Sequence, residues 1–367
     1  MSAHMPAIRH QQGFTLVEVM VSTVVALFAT LAIFQSFAVS EGYRRTATSG
    51  GDASFAGAVG AYLIDRDLRM AGYGINTATY FGCAVTGSEQ GRAINFSVAP
   101  VQITPGATAQ TPDTITVVAS NAVMMPGPIN LTTALAAPTD NYAVSNAFGV
   151  SAGDLLLLAE AGQACTLVQA TNTPTSGSSG QNIIKHVSGS YTNNATTSIA
   201  RYNPSGGIGP NYSANAVVMD FGLNPTVSTY YILNNTLTVD QLVSGQLAQP
   251  IASNVVQLKA FYGKSSTGNG IVDTWNNTAP VTATDWSNVL AIRLALVARS
   301  VQPEKPTDPT TNSCTTTTSS PSVTWDDGTT TTLDVSGTAP SGPSWKCYRY
   351  KVFHLTSSLL NLIWTPS

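Results

Sequence analysis

The strongest pattern along the chain is an apolar run from Phe14 to Ser40, FTLVEVMVSTVVALFATLAIFQSFAVS, in which Glu18 is the only charged residue. As a helix rising 1.5 Å per residue it reaches about 40 Å, enough to cross a bilayer. The run is too long for the apolar region of a secretory signal peptide, and no small-x-small cleavage site follows it. A carboxylate inside such a run costs roughly 2–4 kcal/mol, so Glu18 is expected to have a functional partner. No proline occurs between Phe14 and Ala99, so the helix is predicted to continue beyond the apolar part. Gly50-Gly51-Asp52 is its weak point, where a kink or a restart capped by Asp52 is expected. Phe55, Val59, Tyr62, Leu63 and Met70 keep helical spacing up to a stop near Gly72, which predicts an apolar stripe packed on a sheet. Asp65 and Arg69 stand four apart on its polar side.

From Thr77 onward the pattern changes to short apolar runs separated by Gly, Pro, Asn and Ser. Predicted strands are Thr114–Ala119, Leu155–Ala159, Cys165–Ala170, Thr229–Leu233, Val255–Tyr262, Val289–Val297 and Tyr350–Leu355. In Val289–Val297, Leu290, Ile292, Leu294 and Leu296 alternate with Arg293 and Ala295, the signature of a half-buried strand. The spacing predicts an α+β fold, with an antiparallel sheet and long loops. Residues 303–345 are rich in Thr, Ser, Pro and Gly and read as loop or weak hairpin, tied down at the surface or displayed to a partner.

Composition narrows the class. Hydrophobic residues make up 43% of the 367 residues and charged ones only 10%, so a large core is available under a Ser-, Thr- and Asn-rich surface that suits an exported protein. The net charge of −3 provides no basic field for nucleic acid. The four cysteines, Cys83, Cys165, Cys314 and Cys347, form no CxxC pair, which argues against zinc and redox motifs; in an exported chain they read as two disulfides. Three connectivities are open. Cys314 and Cys347 bracket the Thr-rich stretch, and pairing them would close a loop of about 34 residues worth roughly 3–4 kcal/mol in the chain-entropy model. Cys83 with Cys165 is then the neighbouring pair.

Catalytic motifs are sparse. Gly149-Val-Ser151-Ala-Gly153 fits GxSxG, but a nucleophile elbow needs a strand before it and a helix after it, and Asp154-Leu-Leu-Leu-Leu-Ala reads as a strand. Only His186 and His354 are candidate bases in the exported part. There is no Walker lysine motif and no GxGxxG fingerprint. The expectation is a protein that is not an enzyme, with no cofactor and no metal.

The segment His10-Gln-Gln-Gly13-Phe14-Thr-Leu-Val-Glu18 resembles the leader of type IV prepilins: a short polar leader, a Gly, a Phe, and a Glu at the fifth position after the cut. Three further stretches resemble PilW-type minor pilins. They are Asp67-Leu-Arg-Met-Ala-Gly-Tyr73 followed by Phe81-Gly-Cys83, Val255-Val-Gln-Leu-Lys-Ala-Phe-Tyr-Gly263 followed by Asn269-Gly-Ile-Val-Asp273, and Trp286 to Arg299. Two features depart from that family: Lys264-Ser-Ser-Thr-Gly-Asn-Gly lacks the carboxylates of a calcium loop, and the tail from Val352 to Trp364 is unusually apolar.

The resemblance implies a pilin-like fold with a leader at 1–13, a transmembrane assembly helix at 14–40, its amphipathic continuation at 41–72 and an exported β-rich domain at 73–367. It implies cleavage between Gly13 and Phe14 by prepilin peptidase, N-methylation of Phe14, and a salt bridge from Glu18 to the new amine of a neighbouring subunit. That pair is favoured over two separate buried charges. Arg9, His4 and His10 on one side of the run and Arg44 and Arg45 on the other leave the positive-inside count ambiguous, so the cleavage motif sets the orientation. The implied role is to initiate pilus assembly at the bacterial inner membrane and then sit near the pilus tip. Implied partners are other minor pilins, the major pilin, the inner-membrane assembly platform and a tip adhesin. The alternatives are a bulky minor pseudopilin of type II secretion, or a membrane-anchored surface enzyme, which would use Ser151, or binding protein. A bacterial origin makes the Asn-x-Thr triplets at Asn130, Asn194 and Asn234 chance occurrences.

Overall fold

The computed structural model describes residues 13–75, 77–124, 127–174, 182–193, 195–308, 310–311, 313–337 and 343–363. Most of the expected leader, with His4, Arg9 and His10, lies outside the described residues, as do Asn194 and Trp364. The chain divides into two compact units, one up to Gly51 and one from Asp52 onward.

Helix α1 runs from Leu16 to Met70, 55 residues, without a restart at Gly50-Gly51-Asp52, although two glycines cost a helix interior about 1 kcal/mol each. The helix stops where Gly72 takes a left-handed φ of +79° and donates its N–H to the carbonyl of Val118 at 2.9 Å. The Asp65–Arg69 pair forms at 2.8 Å.

The face that α1 buries in the second unit is not the predicted one. Phe55 is 74% and Tyr62 67% exposed, and Met70 also faces solvent. The buried face is Ala53, Gly57, Gly60, Ile64, Asp67, Leu68 and Ala71. The reason is steric. A Cβ at Gly57 would run into the Phe353 ring, and one at Gly60 would lie 2.7 Å from Leu237 Cδ2. Only small residues let the helix come this close to the strands, so the bulky side chains turn outward.

The strands of the second unit are β1 (Ala84–Glu89), β2 (Arg92–Ser97), β3 (Val101–Thr104), β4 (Thr114–Ala119), β5 (Ile129–Asn130), β6 (Leu155–Ala159), β7 (Cys165–Gln169), β8 (Val217–Gly222), β9 (Thr226–Leu233), β10 (Thr236–Gln241), β11 (Gln246–Ser253), β12 (Val255–Lys264), β13 (Thr274–Asn276), β14 (Val289–Arg299), β15 (Ser322–Thr324), β16 (Thr330–Thr332) and β17 (Tyr350–Ser358), beside three-to-five-residue strands in loops. They form three principal sheets, of order β2-β1-β7-β6-β8-β5, β11-β10-β9-β4-β3 and β13-β12-β14-β17. The pairing is antiparallel except between β1 and β7, which run parallel where Val85 meets Cys165. Two short helices, α2 (Ala283–Ser287) and α3 (Leu360–Ile363), cover strand ends.

The main core gathers Ile64 and Leu68 of α1 and the following Ala71 with residues of all three sheets, among them Val117, Tyr230, Leu237, Leu294 and Leu296. One polar link crosses it: the Tyr230 hydroxyl donates to Asp67 Oδ2 at 2.6 Å, while Arg66 pairs with Asp67 Oδ1 at 2.9 Å. A second cluster covers the other face of β6, β7 and β8, which is why Leu155–Ala159 is apolar at every position.

A third cluster corrects the reading of β14. Ala295 and Val297 pack against Val323, Trp325, Leu333 and Val335 of the Thr-rich stretch, so β14 is buried on both faces rather than half-buried. The predicted polar position, Arg293, is 6% exposed. Its guanidinium lies 4.6 Å from the ring centres of both Trp275 and Trp325, and its Nη1 donates to Asp327 Oδ2 at 2.9 Å. An ion pair and aromatic faces thus offset part of its desolvation. The β15–β16 hairpin is a core element anchored by the Cys314–Cys347 disulfide, with Cα atoms 5.0 Å apart. Cys83–Cys165 joins the start of β7 to the residue before β1.

Two predictions follow from this packing. Gly57→Ala gains helix propensity of up to about 1 kcal/mol but overpacks against Phe353, so a net loss of about 1–2 kcal/mol is expected. Combining it with Phe353→Ala is expected to cost less than the sum of the two single changes in thermal melts; strict additivity would contradict the close approach. The second concerns Asp220 of β8. It is buried, its Oδ1 accepts from Gly222 N at 2.8 Å, and no described cation pairs with it. Burial pushes its carboxyl up to about 7, the Gly222 amide opposes the shift, and the charge of nearby Asp154 adds to it. The folded state therefore holds a proton that the unfolded chain releases near pH 4. This contribution to stability is complete below that pH and is lost as pH rises towards 7. Asp220→Asn is expected to gain stability relative to the parent as pH goes from 5 to 8; a pH-independent difference would refute the assignment.

Candidate functional site

The first unit is the N-terminal part of α1. Every large apolar side chain from Phe14 to Val39 is exposed, so this stretch is hydrophobic all round and lacks the polar face of a surface helix. It is the one helix among the described residues long and apolar enough to span a membrane. Three of its hydroxyls bond within the helix: Ser22 donates to Val19 O at 2.9 Å, Thr23 to Met20 O at 2.8 Å and Thr30 to Ala26 O at 2.6 Å. Polar residues paired in this way are tolerated in an apolar medium.

Gly13 and Phe14 precede the helix and are exposed. The helix begins with a capping box, of which the spacing Thr15-x-x-Glu18 is the sequence signature. Thr15 Oγ1 accepts from Glu18 N at 3.2 Å, and Glu18 Oε2 accepts from both Thr15 N and Thr15 Oγ1 at 3.3 Å. Two of the orphan donors at the helix start, Thr15 N and Glu18 N, are served by side chains, and the carboxylate sits at the favourable end of the helix dipole. The bonds to Glu18 are long and engage one of its two oxygens. A carboxylate has about four acceptor positions, so Glu18 retains capacity for an outside donor.

Glu18 shares a helical face with Ser22, Ala26 and Ala29, spaced four, four and three residues apart. Side chains this small allow a second helix to approach closely in an apolar medium. Farther along α1, Phe55, Val59 and Tyr62 repeat at four and three residues; Phe55 and Tyr62 are exposed and Val59 is half-buried.

The GxSxG segment is a turn. Gly149 and Gly153 have φ of +92° and +106°, and Ser151 N donates to Asp154 Oδ2 at 2.7 Å. His186 stacks on Tyr142 with ring centres 4.2 Å apart, its Nε2 lies 2.7 Å from the Asp140 carbonyl, and burial lowers its pKa. His354 packs edge-on against Trp325. Among the described residues no hydrogen bond joins Ser151 to either histidine. In the loop after Gly263, Asp273 accepts from Ser266 N and, at 2.7 Å, from Ser266 Oγ, which closes the turn with the loop's own groups.

An apolar helix long enough to span a membrane thus continues into a disulfide-tied β-rich domain. Residues 229–361 match the family model for Type IV Pilus-assembly protein W, and residues 8–34 match that for the Prokaryotic N-terminal methylation motif. The chain is thus similar to type IV prepilins at its N-terminus and, over residues 229–361, to PilW-type pilus-assembly proteins. No curated protein matches the sequence. Among solved structures, a type IV-like pilin from Thermus thermophilus is similar at 11% identity with a TM-score of 0.32, over 83% of this chain and 94% of that one, too loose a likeness to carry function.

Proposed function

We propose that this chain is a non-catalytic minor pilin that takes part in initiating type IV pilus assembly. The carrying observation is a single acid, Glu18, one turn into a wholly exposed apolar helix directly behind Gly13-Phe14. Prepilin peptidase removes residues 1–13, Phe14 becomes the methylated N-terminus, and the helix over 14–40 holds the subunit in the inner membrane with residues 73–367 on the periplasmic side. Glu18 then accepts a charge-assisted hydrogen bond from the new amine of a neighbouring subunit. The face bearing Ser22, Ala26 and Ala29 admits that neighbour's helix. The exposed Phe55 and Tyr62, with half-buried Val59 between them, extend the contact along residues 41–72. Other minor pilins, the major pilin, the assembly platform and a tip adhesin are the proposed partners, and the pilus tip is the proposed destination.

N-terminal mass spectrometry of the chain extracted from membranes is expected to find methylated Phe14 as the first residue. A mature chain that keeps its initiator methionine, or starts elsewhere, would sink the proposal. Glu18→Ala is expected to leave membrane insertion intact and to reduce co-purification with the other minor pilins at least tenfold, because it removes the partner of a buried charge, worth about 3–5 kcal/mol. Unchanged co-purification would count against the salt bridge. Dependence of a secretion machine, rather than a pilus, on the chain would favour the pseudopilin alternative.

A further inference from the structure

The last strand, β17, is the outer strand of its sheet and pairs only with β14. The phase of that pairing is fixed at its end, where Leu359 N donates to Leu290 O at 2.9 Å. Alternation along an antiparallel pair then directs the main-chain groups of Lys351, Phe353, Leu355 and Ser357 towards β14. Those of Val352, His354, Thr356 and Ser358 point outward, and no described residue bonds them.

The other outer strands are short or blunted. β11 carries Pro250, a positive φ at Ala248 and two register shifts against β10. β3, β5 and β13 have four, two and three residues, and β2 has six, beginning at the ion-paired Arg92. β17 has nine residues with no proline and no register shift, and Lys351 is its only Lys, Arg, Asp or Glu. Exposed edges are normally protected by charge, proline, bulges or brevity; an unprotected regular one is a template for another strand.

We infer that the outer edge of β17 docks an extended strand donated by a different subunit of the same pilus, an inference that rests on the minor-pilin reading. Main-chain donors and acceptors that recur every second residue, about 7 Å apart, are matched by an extended backbone and not by a helix or a loop. A second copy of this chain fits poorly. Antiparallel self-pairing about His354 opposes Val352 with Thr356 and Tyr350 with Ser358, apolar against hydroxyl, and forfeits like-with-like pairs on each face. The donated strand carries an apolar residue opposite Val352 and hydroxyl residues opposite Thr356 and Ser358. Position supports a pilus partner: Lys351 Nζ donates to Ser54 Oγ at 3.0 Å and Phe353 packs on Gly57, so β17 lies along the turns of α1 that present Phe55.

The test is hydrogen–deuterium exchange on the full chain in detergent, alone and in complex with the pilins co-expressed from the same assembly. The amides of His354, Thr356 and Ser358 are expected to exchange quickly in the chain alone and more than about tenfold slower in the complex. Thr356→Pro removes an outward N–H that the fold does not use. It is expected to melt close to the parent yet to lose that protection at His354 and Ser358. Equal exchange in both states overturns the inference. So does concentration-dependent protection in the chain alone, which would mean self-pairing. If the chain enters the complex in a Glu18-dependent way but these amides stay unprotected, only the strand docking fails; a chain that enters no pilin complex overturns both readings.

Discussion

The close approach of α1 to the sheets governs the rest of the second unit. Gly57 and Gly60 bring the helix backbone against Phe353 and Leu237, two side chains from different sheets. At that distance a large residue on the inner face has no room, so Ile64 and Leu68 fill the core only farther along, where the face widens. The Asp67–Tyr230 hydrogen bond fixes the rotation of the helix, since turning α1 by one residue would bury a carboxylate without its donor. That rotation is what sends Phe55 and Tyr62 to the outside. Packing of the folded domain and exposure of Phe55 and Tyr62 are therefore one constraint seen from two sides.

The same logic explains why the sheets are apolar in unbroken runs. A strand covered on one face alternates; one covered on both does not. β6 and β14 are central strands covered on both faces, by the second and third clusters respectively. The cover over β14 comes from a segment of low sequence complexity that contributes Val323, Trp325, Leu333 and Val335 in and beside a hairpin of two three-residue strands. Such a hairpin has too little core to persist alone. Its attachment relies on those four side chains and on the Cys314–Cys347 bridge, which removes loop entropy from the unfolded chain.

These features divide what was legible from what was not. Thr114–Ala119 and Leu155–Ala159 stand out because β-branched or apolar residues lie between turn residues, and the helix from Leu16 is visible because nothing in it breaks periodicity. β10 and β11, with Thr, Gln and Pro, look like loop and become strands only because β9 offers an edge. Size alone misplaces the helix face, because the large hydrophobic stripe does not face the core. The decisive signal was the opposite, the Ala53, Gly57, Gly60 series, in which the absence of side chain carries the information. Arg293 was placed on a polar face because sequence does not reveal that Trp275, Trp325 and Asp327, far off in the chain, converge on it. At the N-terminus the acid was conspicuous, while its cap, Thr15, was visible only by its spacing to Glu18.

That cap bears on how a lone carboxylate is carried in an apolar helix before assembly. Glu18 accepts from Thr15 N and Thr15 Oγ1 at 3.3 Å, two bonds near the long end of the useful range. They supply partial solvation at the helix start, where the dipole also favours negative charge, and so lower the cost of holding the group before a partner arrives. On the proposed reading, the incoming partner is a cationic amine. Charge-assisted bonds are shorter and roughly twice as strong as neutral ones, and in a water-poor helix bundle the advantage grows. The amine is thus able to take over the carboxylate without stripping the helix of its other cap, because Thr15 Oγ1 continues to serve the amide of Glu18. One acid then stabilises the solitary helix modestly and the assembled one strongly, and that difference in strength gives assembly its direction.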